Sequence, residues 1–120
     1  MTGLRLHPSL YAHSTPEKAA IIMAGSGKVL TYAGLEAQTN QNARQMRAMG
    51  VEPGQVVALC VENALEFLPL VLACQRSGLT YVCISTRLLA SEVDYILKDS
   101  DARVVIVSPG IDAAHDLHHL

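Results

Sequence analysis

From residue 19 onward the spacing of apolar positions changes period repeatedly, and each change coincides with turn chemistry. Residues 19–24 form a short apolar run, Gly25-Ser26-Gly27 supply a turn, and residues 28–30 return as a second short strand, which predicts a hairpin. Thr31 has the side chain of an N-cap for a helix over 32–49, with Leu35, Ala43, Met46 and Met49 on one face and Gln38, Gln41, Arg44, Gln45 and Arg47 elsewhere. Gly50 closes that helix and Pro53-Gly54 turns the chain. Residues 56–61 (VVALCV) are apolar at every position, the pattern of a parallel strand covered on both faces.

Asn63 followed three residues later by Glu66 has the form of a capping box, predicting a helix from there to about Ser77. Pro69 inside it lacks a donor and crowds the carbonyl four residues back, so a kink or an adjusted first turn is expected. Gly78 stops this helix and residues 80–84 form the next strand. A third helix over 90–98 puts Val93, Ile96 and Leu97 on a common face, residues 103–107 are a further apolar strand, and Pro109-Gly110 turn again. The order from residue 56 is strand, helix, strand, helix, strand, with connections suited to right-handed parallel crossovers. The expected fold is therefore α/β: an N-terminal hairpin, then a parallel, doubly wound type of sheet that forms part of a domain. Residues 111–120 read as a helix cut short.

At 120 residues one domain is expected. Nine Lys plus Arg against eleven Asp plus Glu give a formal charge of -2, which argues against nucleic acid or an anionic membrane as the main partner. Hydrophobic residues make up 50% and charged residues 17%, against about 25% charged in typical soluble domains. The shortage of polar surface implies that another domain or chain covers part of this one. No apolar run reaches the length of a membrane span, and residues 1–10 hold no signal-peptide core before Pro8. A cytoplasmic location is expected. Cys60, Cys74 and Cys83 are odd in number, sit in apolar settings and form no CxxC pair, which fits reduced, buried thiols better than a disulfide or zinc frame.

The candidate chemical motifs each have a plainer reading. Gly25-Ser26-Gly27-Lys28 suggests a phosphate loop, but Ile22 stands where the first glycine of GxxxxGK should be and Val29 where Ser or Thr should follow, so a hairpin turn is expected. No GxGxxG follows any strand. His115, His118 and His119, near Asp112 and Asp116, could share a helical face, yet a chain end is a poor frame for a metal, and solvated side chains are expected. His7 and His13 lie in a Pro- and Ser-containing opening segment. Ser85, Ser91, Ser100 and Ser108 sit near element ends outside any G-x-S-x-G elbow, and Ser14-Thr15-Pro16-Glu17 resembles a capped helical turn.

One ordered set of segments is specific in combination. Leu30-Thr31-Tyr32-Ala33-Gly34-Leu35-Glu36, Asn40, Ala43, Gly50-Val51-Glu52-Pro53-Gly54, Val61-Glu62-Asn63, Gln75-Arg76-Ser77-Gly78-Leu79-Thr80-Tyr81-Val82, then residues 92–97 with Asp99-Ser100, resemble the start of an acyl-CoA synthetase of the AMP-forming, adenylate-forming ligase superfamily. The resemblance spans residues 16–107, and the Gln-Arg-Ser-Gly run leans toward fatty-acyl-CoA ligases over peptide-synthetase adenylation domains. Four positions depart from the pattern: Gly34 for a glutamate, Gln55 for an aspartate, Cys83 for a proline and Leu89 for a capping threonine.

The resemblance implies a longer enzyme that activates a carboxylic, fatty-type acid with ATP to an acyl-adenylate, releases pyrophosphate, and passes the acyl group to coenzyme A. Its phosphate loop, adenosine- and magnesium-binding residues and catalytic lysine match nothing in residues 1–120, so no catalytic, cofactor-binding or metal residue is assigned here. ATP, magnesium and coenzyme A are implied for the longer enzyme only. The 120-residue chain is then a scaffold piece, inactive alone, whose partner is the remainder of the N-terminal domain. Its unpaired sheet edges predict self-association. Two alternatives stand beside this reading: a stand-alone α/β ligand-binding or protein-interaction module, and a small metal-dependent protein using the terminal histidines.

Overall fold

The computed structural model describes residues 7–111. It begins with a helix the sequence pattern did not announce, α1 (Pro8–Ser14). Pro8 sits at its first position, where a missing N–H is harmless, and His7 Nδ1 accepts from the Ser9 amide at 3.2 Å. The Ser14 to Glu17 segment closes this helix instead of starting one: Ser14 is its last residue, Thr15 its C-cap, and Lys18 N–H donates to the Thr15 carbonyl at 3.2 Å.

Strands β1 (Ala19–Ile22) and β2 (Val29–Thr31) form the expected antiparallel hairpin, with Ile21 opposite Leu30 and Ile22 opposite Val29. Its connection is tied by Met23 N–H to Lys28 O and Gly27 N–H to Met23 O, both 2.8 Å, with Gly27 at φ 72°. Thr31 caps α2 (Tyr32–Ala48), its Oγ1 accepting from Gly34 N–H at 3.1 Å. The buried stripe is Leu35, Thr39, Ala43 and Met46. Met49 departs from expectation: it is the C-cap, beyond the last turn, and stays 51% exposed. Thr39 was not expected inside; its hydroxyl donates to the Leu35 carbonyl at 2.7 Å, so its polar group is buried without loss of a partner.

A three-stranded parallel sheet follows, built from β3 (Val56–Cys60), β4 (Thr80–Cys83) and β5 (Ala102–Val107) in the order β4-β3-β5. The intervening helices are α3 (Phe67–Arg76) and α4 (Ala90–Ser100). Uniform apolarity of β3 has the predicted cause: it is central and covered twice. Val57 and Leu59 join a core cluster with Ala43 and Met46 of α2 and Val71, Ala73 and Cys74 of α3. Ala58 and Cys60 point the other way, into a cluster with Val93 and Leu97 of α4, Ile84 and Ile111. The hairpin-plus-doubly-wound expectation describes this architecture.

Two capping expectations are corrected. The predicted Asn63 and Glu66 box does not form; α3 starts at Phe67, with Glu66 as an N-cap that makes no side-chain bond. Pro69 decides this. A helix begun at Asn63 would demand a hydrogen bond from residue 69, whereas in a helix begun at Phe67 it falls within the first turn, where no intrahelical donor is needed. At α4 half of a capping box exists: Glu92 Oε1 accepts from the Leu89 amide at 2.9 Å, and Leu89 has no acceptor to return. Cys60 and Cys74 are buried as expected, but Cys83 is exposed, because β4 is a sheet edge and Cys83 is its last residue.

Candidate functional site at the carboxyl end of the parallel sheet

The two clusters define a switch in chain direction. After β3 the chain turns into α3 on one face of the sheet; after β5 it turns to Ile111, packed with Val93 and Leu97 on the other. Adjacent parallel strands whose outgoing loops diverge to opposite faces leave a crevice beyond their carboxyl ends, the place where open α/β sheets bind ligands. Such a crevice is present, with a volume of about 410 Å³. Its floor includes Val61, Leu70, Ile106 and Val107, and its polar groups are Glu62, Glu66 and Ser108.

Two hydrogen bonds fix the mouth. The Glu62 amide donates to Ser108 Oγ at 2.9 Å, and the Ser108 amide donates to the Cys60 carbonyl at 3.2 Å. Ser108, one of the serines at element ends, therefore ties the exits of β3 and β5 together across 46 residues of sequence. Among the described residues the lining of the crevice includes no imidazole to activate Ser108 as a nucleophile, and no lysine or arginine. An apolar slot whose charges are two carboxylates does not suit a triphosphate, which needs cations and oriented amides. Among the described residues the site is a shaped, mainly apolar surface.

The remaining candidates fall elsewhere. Ser26 Oγ accepts from the Lys28 amide at 3.2 Å inside the hairpin turn, so Gly25-Ser26-Gly27-Lys28 builds a turn. Ser85 Oγ accepts from the Arg87 amide at 3.2 Å, Ser100 Oγ donates to the Leu97 carbonyl at 3.4 Å, Ser91 is exposed in the first turn of α4, and His7 caps α1. His13 is exposed in the last turn of α1. Asp112, His115, Asp116, His118 and His119 lie outside the described residues, within which no group of three His, Cys, Asp or Glu could hold a metal ion. Burial pushes the Cys60 thiol up. Cys74 is pushed up to about 11, first by burial and then by charge repulsion from Cys83. Both buried thiols stay protonated near neutrality, which fits inert core residues.

One polar cluster escaped the sequence reading. Arg76 at the end of α3 reaches α2, its Nη2 and Nη1 donating to Glu36 Oε1 and Oε2 at 2.8 and 3.1 Å, and its Nη1 donating also to Asn40 Oδ1 at 2.6 Å. Glu36, Asn40 and Arg76 all belong to the segments that carry the family resemblance. Their spacing gave no signal of contact, since Glu36 and Arg76 are 40 residues apart. The signal available was Glu36 and Asn40 four apart on one helical face.

Comparison with known proteins follows the same lines. The family model for AMP-binding enzymes matches residues 10–120. A long-chain-fatty-acid–CoA ligase of Mycobacterium tuberculosis is 37% identical over 103 residues, which cover 82% of this chain and 20% of that protein. Bacitracin synthase 3 of Bacillus licheniformis is 36% identical over 100 residues, covering 83% of this chain and 2% of that protein. Among solved structures, the N-terminal domain of FACL13 from Mycobacterium tuberculosis superposes with a TM-score of 0.85 at 32% identity, covering 93% of this chain and 29% of that domain structure. The chain thus spans a small part of the proteins it matches.

Proposed function

Because the chain belongs to the AMP-binding enzyme family, we propose that it is an N-terminal part of an acyl-CoA synthetase that activates a carboxylic, fatty-type acid with ATP and transfers it to coenzyme A. The observation carrying this reading is the match over residues 10–120 to a family whose solved relatives place the same segments in a larger N-terminal domain. In the longer enzyme a carboxylate oxygen attacks the α-phosphorus of ATP and pyrophosphate leaves; the thiol of coenzyme A then attacks the acyl carbonyl and AMP leaves. The 37% identical fatty-acid–CoA ligase favours an acyl acceptor of this kind, as does the Gln75-Arg76-Ser77-Gly78 run.

The part played by residues 7–111 is scaffolding. Arg76 holds α3 against α2 through Glu36 and Asn40, both helices cover Val57 and Leu59 of the central strand, and Ser108 fixes the crevice between β3 and β5. Carboxylates at Glu62 and Glu66 make that crevice a poor site for anionic phosphates. The cations and magnesium site that neutralise triphosphate charge belong to the rest of the enzyme, which is also the partner of this piece, and the location of the whole is cytoplasmic. No helix among the described residues is long and apolar enough to cross a membrane. The test is acid-dependent ATP–pyrophosphate exchange by the 120-residue chain. No exchange above background is expected with fatty, aromatic or amino acids; robust turnover with any of them overturns the scaffold role.

A further inference from the structure

We draw no further inference here: the strongest candidate, the apolar crevice between Val61, Leu70, Ile106 and Ser108 at the carboxyl end of the parallel sheet, belongs to the site already described, and nothing in the structure shows what covers it.

Discussion

Removing the Arg76 guanidinium tests whether the contact between α2 and α3 is set by a polar clamp or by apolar packing alone. Arg76 and Glu36 retain 28% and 29% of their side-chain exposure, so the pair is neither a free surface ion pair nor a fully desolvated one. Exposed pairs couple by about 0–1 kcal/mol, while breaking a buried pair costs about 3–5 kcal/mol. Two parallel contacts at 2.8 and 3.1 Å and a third to Asn40 at 2.6 Å place this clamp above the surface median. A coupling of about 1–2 kcal/mol between Glu36 and Arg76 is expected on these grounds. The assay is urea unfolding of Glu36→Ala, Arg76→Ala and the double variant, in which loss of the packed arginine stem cancels from the cycle. Added salt should lower the coupling, because the pair is partly open to solvent. Additive single effects, with a coupling below about 0.3 kcal/mol, refute the reasoning and leave the helix pair to its apolar contacts.

The buried thiol of Cys74 makes stability depend on alkaline pH. Its folded-state value of about 11 lies above the ordinary 9.0, so its contribution is complete below pH 9 and is lost as pH rises toward 11. The loss approaches about 2–3 kcal/mol at full titration; Cys74→Ala should flatten the pH 9–11 limb of the urea midpoint, and an unchanged limb contradicts this account. Leu89→Thr supplies the acceptor missing from the α4 cap at a site that is 68% exposed, so stability should rise by about 0.5–1 kcal/mol in the same assay. No change or a loss there means the half-box through Glu92 already satisfies that helix end.

What the sequence disclosed, and what it hid, divides by the range of the forces involved. β3 was legible because burial on both faces forces every position from Val56 to Cys60 to be apolar. The hairpin and the caps at Thr31 and Gly50 were legible because turn and cap chemistry is local. The start of α3 was misread because Asn63 and Glu66 satisfy a local motif that Pro69 overrides. Thr39 was missed because a polar side chain bonded to its own helix looks like a surface residue until packing is known. The crevice and the Arg76 clamp were invisible because each joins segments some forty residues apart: the pairing of β5 beside β3 makes the first, and the packing of α2 and α3 over one face of β3 makes the second.

The central claim is that these residues are a scaffold piece of an adenylate-forming ligase, and the coding sequence beyond the Leu120 codon tests it most directly. An open frame soon encoding a Ser-, Thr- and Gly-rich loop followed by lysine is the predicted result, because a triphosphate needs cations and oriented amides and the described lining of the crevice includes no lysine or arginine. A stop codon directly after Leu120 contradicts the account, making the chain a small α/β protein with ligase ancestry and no ligase to complete.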